Sequence, residues 1–184
     1  MAKQVDTTYG DALFALALEE NKIDDLYEEV MALLPVLREN RELLSLFEHP
    51  QIDKTEKQKV IENTFDGRVS DDITGLIATM VAKDHGGDII RVLEYFVRRV
   101  KKHKNIGLAL VTSAVELTSA QKAAIEMKLI ETTSYRSIEA GYKVDPALLG
   151  GLVIRIDDRV CDSSLKTKLE QLSRSLAKGG VSGS

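Results

Sequence analysis

Short amphipathic stretches separated by brief polar breaks fill roughly the first hundred residues of the chain. Within each stretch apolar side chains recur every three or four residues, the period of a helix with one buried face. Six helices are therefore predicted, forming a compact bundle, with a break or kink in the second helix at Pro35. The predicted helices cover about 4–21, 23–40, 41–47, 53–66, 70–85 and 89–104.

The first predicted helix is apolar on two sides. One broad stripe is formed by Val5, Tyr9, Ala12, Leu13, Leu16 and Ala17. Phe14 and Leu18 point the opposite way at 100° per residue. A helix on the surface of a single bundle needs one apolar face, so the second face indicates either contact with a partner or a helix buried centrally. Both interpretations stay open at this point.

After about residue 105 the pattern changes to that of a small α/β domain. Strands are predicted over 105–116, 137–145 and 150–158, and helices over 118–132 and 165–176. Thr118 and Gln121 form a capping box for the first of these helices, as Ser70 caps the fifth helix of the bundle. The chain is therefore predicted to be mainly α with a small α/β part. The helical bundle spans 1–105, the β-α-β-β-α domain 106–178, and a flexible tail 179–184.

Composition narrows the class of protein. Aromatic residues make up 5% of the chain and tryptophan is absent, which is few for stacking on nucleobases. The net charge is −4, with 15 basic and 20 acidic residues in 1–105. Cys161 is the single cysteine, so an internal disulfide is excluded. An apolar run of the ~20 residues that span a bilayer is absent. We expect a soluble protein without direct membrane insertion or nucleic-acid binding.

The residues that suggest a phosphate or metal site are concentrated in VDPALLGGLVIRIDDRVCDSS, at 144–164. Their spacing does not match that of such sites. The glycine pair precedes a strand and not a helix, so no helix N-terminus receives a phosphate. Asp157, Asp158 and Asp162 lack the spacing of a calcium loop, and the three histidines lack ligand spacing. Asp157 and Asp158 are better explained as a tight turn, and Asp162 or Ser163 as the cap of the last helix. We expect no catalytic residue, metal or cofactor.

The sequence resembles a known family over its whole length. YGDALFALALEE at 9–20 is similar to the Y-A-x-A-L-F-x-L-A opening of the delta subunit of F-type ATP synthase, counterpart of the mitochondrial oligomycin-sensitivity-conferring protein. HPQIDKTEKQKVIENTF at 49–65 resembles its P-x-I-x-x-x-x-K-x-x-x-I segment. The C-terminal signature, Leu-Gly-Gly followed by I-G-D-x-x-x-D-x-S, corresponds to Gly150, Gly151, Asp158, Asp162 and Ser164. Asp157 and Ser163 stand where that signature usually has glycine.

The resemblance implies a non-catalytic stator subunit, present in one copy per complex. Such a subunit links the catalytic head, through its alpha subunits alone or through its alpha and beta subunits, to the peripheral stalk of b subunits and resists rotational torque. It lies at the cytoplasmic face of the cell membrane as a peripheral part of the complex. The C-terminal domain is implied to meet the end of the b stalk.

The resemblance also implies a groove between the first and fifth helices that holds an N-terminal helix of the alpha subunit. The residues that match it are Tyr9, Ala12, Leu13, Leu16, Ile73, Leu76, Ile77 and Met80. The alternative is a nucleic-acid-associated helical adaptor using the basic run RRVKKHK at 98–104. A further alternative, a small hydrolase using Ser164, rests on the weak S-x-x-K pattern alone.

Overall fold

The computed structural model describes residues 2–65, 67–148, 150–156 and 159–162. The chain divides into two compact units, with the boundary between His103 and Lys104. The protein is mainly helical with a small mixed sheet, which confirms the predicted fold class at that level. Each unit is described by itself below.

The first unit is helical throughout its regular structure. Its helices are α1 (Ala2–Glu19), α2 (Ile23–Glu39), α3 (Arg41–Glu48), α4 (Lys54–Phe65), α5 (Asp71–Ala82) and α6 (Ile89–His103). A single 3₁₀ turn, Gly86–Asp88, separates α5 from α6 where the sequence has two adjacent glycines.

Helix α6 contributes the largest continuous apolar face to the core. Its buried side chains are Ile89, Val92, Leu93, Phe96, Val97 and Val100, which recur at helical spacing. Helices α1 and α2 both contact α6, and α5 contacts α1 and α4. The apolar faces of the described helices therefore meet in one core, which extends from Leu13 to Val100.

Helix α2 continues through Pro35, so the predicted break is wrong. Proline removes one backbone N–H and costs a helix interior about 3 kcal/mol. Pro35 lies on the exposed side of α2, where water solvates the affected backbone. Leu33, Leu34 and Leu37 are buried around it, and burying three such side chains contributes more than the proline costs.

The two predicted helix caps have different outcomes. At α7 (Ser119–Thr132) the capping box is present, with Thr118 Oγ1 accepting from the Gln121 N–H and the Gln121 side chain accepting from the Thr118 N–H. Ser70 occupies the N-cap position of α5, but its hydroxyl makes no capping hydrogen bond among the described residues. Its backbone N–H instead donates to Glu29 Oε1 at 2.8 Å, which ties the start of α5 to α2.

The second unit is built on a four-stranded mixed sheet. Its strands are β1 (Ile106–Ser113), β2 (Ser137–Val144), β3 (Leu152–Ile156) and β4 (Arg159–Asp162), in the order β2-β1-β3-β4. Strands β1 and β2 are parallel and joined through α7, whereas β3 pairs antiparallel with β1 and with β4. Strand β4 was missing from the predicted order, and the helix predicted over 165–176 lies outside the described residues.

Helix α7 covers one face of this sheet. Alternate residues of β1, from Gly107 to Ser113, are buried on that face, and Leu129 of α7 is buried as well. The Tyr142 hydroxyl of β2 donates to Glu126 Oε1 at 2.8 Å and lies 3.2 Å from the Lys122 carbonyl. Burial and the hydrogen bond to Glu126 raise the pKa of Tyr142 to about 12.

Candidate partner-binding groove

Helices α1 and α5 lie side by side and run in opposite directions. Near the N-terminal half of α1, the ring of Tyr9 meets the ring of His85, just beyond the end of α5, at a centroid distance of 5.8 Å. Past the other end of α1, Lys22 Nζ bonds to Asp72 Oδ2 at 3.3 Å, in the first turn of α5. The two contacts mark the ends of the strip of surface between these helices, which we call the α1–α5 groove.

The eight residues assigned to this groove by resemblance separate into two sets. Leu13, Ile73, Ile77 and Met80 are at most 2% exposed and belong to the core of the unit. In this structure they lie beneath the accessible residues, and their contact with a partner stays a prediction. Tyr9, Leu16 and Leu76 are partly exposed, and Ala12 is exposed, so these four form the accessible part of the groove.

On α1 the accessible side chains follow a regular spacing. Val5, Tyr9, Ala12 and Leu16 are separated by four, three and four residues, which places them along one line of the helix. On α5 the same spacing relates Asp72, Leu76, Thr79 and Lys83. Two parallel lines of this kind present the alternating ridges and hollows against which a third helix packs.

The second apolar side of α1 is buried only in part. Leu18 is 40% exposed, whereas Phe14, which the helical period placed opposite the main stripe, is 8% exposed and part of the core. The His103 ring lies 5.6 Å from its ring in an edge contact, and Arg99 Cζ lies 5.0 Å from its centroid. Central burial therefore accounts for Phe14, and contact with a partner stays open for Leu18.

Polar contacts fix α1 against α6 as well. Asp11 Oδ1 accepts hydrogen bonds from the Tyr95 hydroxyl and from Arg99 Nε, each at 3.0 Å. The Tyr95 ring packs onto Gly10, which is buried. These residues hold α1 at a set angle and so position the groove. Sequence reasoning did not identify them, because their contacts join positions more than 80 residues apart.

Lys57 is the lysine of the P-x-I-x-x-x-x-K-x-x-x-I segment, and the structure gives it an internal role. The side chain is 3% exposed, and its Nζ donates to the Phe47 carbonyl at 2.9 Å. Phe47 lies in the last turn of α3, where carbonyl groups without a helical partner carry partial negative charge. Lys57 therefore joins α4 to the end of α3.

At the end of the groove marked by the contact with Asp72, Lys22 is held by two carboxylates. Its ammonium group bonds to Glu20 as well as to Asp72. Hydrogen bonds to Glu20 and then to Asp72 raise the pKa of Lys22 above its ordinary value. At the opposite end, the hydrogen bond from Lys54 lowers the pKa of Asp84.

The C-terminal signature is placed only in part. Gly150 and Gly151 have φ values of 142° and 82°, a backbone region that favours glycine, and they lead directly into β3. Asp162, considered above as a helix cap, is the last residue of β4 and pairs with Val153. Asp158 and Ser164 lie outside the described residues.

The part of the chain that the structure describes contains no group of three or more His, Cys, Asp or Glu side chains placed to hold a metal ion. Among the same residues, no helix is long and apolar enough to cross a membrane. The basic run at 98–104 contributes Arg99 to the contact with Asp11, so part of it serves the bundle itself.

A helical unit with accessible apolar side chains along two neighbouring helices is typical of an interaction protein, and comparisons identify its family. Residues 5–176 match the family described as ATP synthase delta (OSCP) subunit. The chain is 51% identical to ATP synthase subunit delta of Lachnoclostridium phytofermentans over 178 residues, 97% of this chain and 98% of that protein. It is 31% identical to ATP synthase subunit delta of Prochlorococcus marinus, over 97% of this chain and 99% of that protein.

The fold is similar to that of a chain in the cryo-EM structure of the Toxoplasma gondii mitochondrial ATP synthase hexamer. The TM-score is 0.72 at 16% sequence identity, covering 94% of this chain and 97% of that chain. The chain belongs to the ATP synthase delta (OSCP) subunit family. It is a stator component of the peripheral stalk, a structural and not a catalytic subunit of ATP synthase. These comparisons give no support to the nucleic-acid alternative.

Proposed function

We propose that this chain couples the catalytic head of ATP synthase to the b subunits of its peripheral stalk. In this proposal the N-terminal helix of an alpha subunit lies in the α1–α5 groove. The observation that supports it is the line of accessible side chains, Tyr9, Ala12 and Leu16 on α1 and Leu76 on α5, above a fully buried floor. An amphipathic helix in an apolar groove is a common recognition mode.

The strength of such a contact suits a stator. Burying on the order of 500 Å² of apolar surface contributes roughly 12 kcal/mol gross, at about 25 cal/mol per Å². Association and ordering costs offset much of this free energy. The binding free energy that remains gives slow dissociation. A stator needs slow dissociation because each release of the head wastes a rotation.

In the same proposal the second unit meets the end of the b stalk. Its described part exposes several large apolar side chains, which supports an interaction surface there: Leu110, Val115, Met127, Ile130, Val144 and Val160. One copy of the chain joins each complex, as a peripheral subunit at the cytoplasmic face of the cell membrane, with the beta subunits as a further possible contact.

A peptide-binding experiment with a matched pair of variants tests the groove. A synthetic peptide copying the N-terminal segment of the alpha subunit is titrated into the full chain by calorimetry. Ala12→Asp places a charge on the accessible line of α1 and should abolish binding. Ala32→Asp makes the same change at an exposed position in the middle of α2 and should leave binding unchanged. Far-UV circular dichroism should show the same helix content for both variants.

Unchanged affinity in Ala12→Asp would show that the groove is not the site. A fragment of the b subunit serves as the second probe. If the two units bind separate partners, this fragment should bind Ala12→Asp as tightly as it binds the unaltered chain. Loss of both interactions would indicate a folding defect and would contradict the dichroism expected above.

A further inference from the structure

Strand β2 forms one edge of the sheet in the second unit. It has eight residues, and the described part of the chain places only one strand, β1, beside it. A long edge strand can pair with a further strand, and proteins commonly prevent this with proline, a bulge or charged side chains. β2 contains no proline and pairs with β1 residue by residue, without a bulge. Its charged residues are Glu139 and Lys143, so these two side chains decide which strand fits this edge.

An exposed apolar side of α7 lies above the same edge. Glu126 of α7 accepts a hydrogen bond from the Tyr142 hydroxyl, which shows the side of the helix that faces β2. Ala123 and Ile130 stand three residues before and four residues after Glu126, so they share this side. Both are exposed, and so is Val144, which lies on the same face of β2 as Tyr142. Helix and edge strand together therefore present an apolar surface that the described residues leave uncovered.

The sequence of β2 is complementary to itself when two copies run antiparallel. With the two Gly141 residues opposite each other, Glu139 of each copy lies opposite Lys143 of the other. On the other face of the sheet, Ile138 of each copy lies opposite Val144. Cross-strand pairs of both kinds stabilise a sheet. A shift by one residue moves every side chain to the wrong face, and a shift by two removes both ion pairs. Alternation and charge therefore select one register.

The same register brings the α7 helices of the two copies side by side. Each α7 covers alternate residues of β1 and contacts Tyr142 of β2. Strands are about 4.8 Å apart, so across the edge the two helix axes lie roughly 10 Å apart, the distance of packed helices. Tyr142 lies against the middle of α7, so a two-fold axis at the neighbouring Gly141 places Ile130 of each copy next to Ala123 of the other. Each contact pairs a large apolar side chain with a small one, which suits close packing.

We propose that two copies of this chain, outside the ATP synthase complex, pair through β2 and join their four-stranded sheets. The pairing covers the edge and the apolar side of α7, and so protects the unassembled chain from less specific strand pairing. One strand and one side of a helix form a small interface compared with the roughly 1,200–2,000 Å² buried in stable complexes. The dimer is therefore weak and dissociates on dilution. Ile130 and Val144 also belong to the surface proposed for the stalk, so a chain bound there is a monomer, but the dimer does not depend on that assignment.

Two charge reversals and their mixture test the register. The readout is sedimentation equilibrium of the full chain from about 10 µM to about 1 mM, a range that resolves weak association. The unaltered chain should shift from monomer toward dimer over this range. Glu139→Lys sets lysine opposite lysine, and Lys143→Glu sets glutamate opposite glutamate, so each variant alone should dimerise at least about tenfold more weakly. An equimolar mixture of the two variants restores both ion pairs and should dimerise as the unaltered chain does.

Lys128→Glu supplies the matched control. It reverses an exposed charge two residues after Glu126, on the side of α7 away from β2, and should leave dimerisation unchanged. A chain that stays monomeric throughout the range would overturn the proposal. Equal dimerisation by all the variants would show that the copies meet at another surface, and would overturn it too. Weak association of both reversal variants without recovery in their mixture would contradict the register, whereas recovery requires that both variants fold.

Discussion

A single added methyl group tests the close approach of α1 to α6. Gly10 is buried, and a Cβ atom built on it would overlap the Tyr95 ring, 3.1 Å from Cε1 and 3.3 Å from Cγ. The ring is not free to move, because the Tyr95 hydroxyl donates to Asp11 at 3.0 Å. The family pattern quoted above has alanine at this position, whereas this chain has glycine.

The expected cost of Gly10→Ala follows from three opposing effects. In a helix interior, replacing glycine by alanine ordinarily stabilises a protein by about 1 kcal/mol. Here the ring must shift, and overpacking of this kind costs about 1–3 kcal/mol. The displaced hydroxyl also loses its hydrogen bond, worth about 1 kcal/mol net. Gly10→Ala should therefore lower the free energy of unfolding by about 1–3 kcal/mol.

Gly75 supplies the matched control. It lies in the interior of α5, it is exposed, and a Cβ atom added there meets nothing within 4 Å. Gly75→Ala should raise the free energy of unfolding by about 1 kcal/mol. Urea unfolding followed by far-UV circular dichroism measures both variants. If Gly10→Ala stabilises the chain as Gly75→Ala does, the described contact between α1 and Tyr95 is wrong.

Two further predictions concern single polar contacts. Lys57→Met removes the ammonium group that donates to the Phe47 carbonyl, so it should lower the free energy of unfolding in urea by about 1–3 kcal/mol. Lys59→Met, at an exposed position of the same helix, should change this free energy by less than about 0.5 kcal/mol. A pKa of about 12 for Tyr142 means that the folded state favours the protonated hydroxyl. The stability that this protonated hydroxyl contributes should be complete below about pH 10, the ordinary tyrosine pKa. It should be lost as the pH rises toward 12. Tyr142→Phe should show a smaller loss of stability over this interval. An unchanged pH profile would contradict the burial of this hydroxyl and its hydrogen bond to Glu126.

Helix positions were predictable wherever one face carries a regular apolar stripe. In α6 every third or fourth residue from Ile89 to Val100 is apolar, and the same side chains are buried in the structure. Such a pattern depends only on neighbours along the chain, so it can be recognised without knowing what the helix packs against. The capping box at Thr118 is local in the same sense and was also confirmed.

What the sequence did not reveal depends on contacts between distant positions. The period of α1 placed Phe14 away from the core, yet α6 covers it through Arg99 and His103. Strand β4 has only four residues, too few for an alternating pattern to stand out, and it exists because β3 pairs with it. Burial of Leu33, Leu34 and Leu37 likewise keeps α2 helical through Pro35.

The candidate groove was predictable as a pair of helices but not side chain by side chain. Resemblance named eight residues, and the structure buries Leu13, Ile73, Ile77 and Met80 beneath the four that remain accessible. A stripe on one helix shows which residues share a face. It does not show how much of that face the neighbouring helix covers, which depends on the distance and angle between α1 and α5.

Retention of the catalytic head on membranes tests the central claim most directly. Membranes carrying ATP synthase with the Ala12→Asp or the Ala32→Asp chain are washed, and ATP hydrolysis is measured in the wash and in the pellet. If the α1–α5 groove ties the head to the stalk, Ala12→Asp should release the hydrolysing head into the wash and abolish ATP-driven ion pumping. Ala32→Asp should keep both activities on the membrane. A head that stays bound and pumps ions normally with Ala12→Asp would contradict the proposed coupling role of the groove.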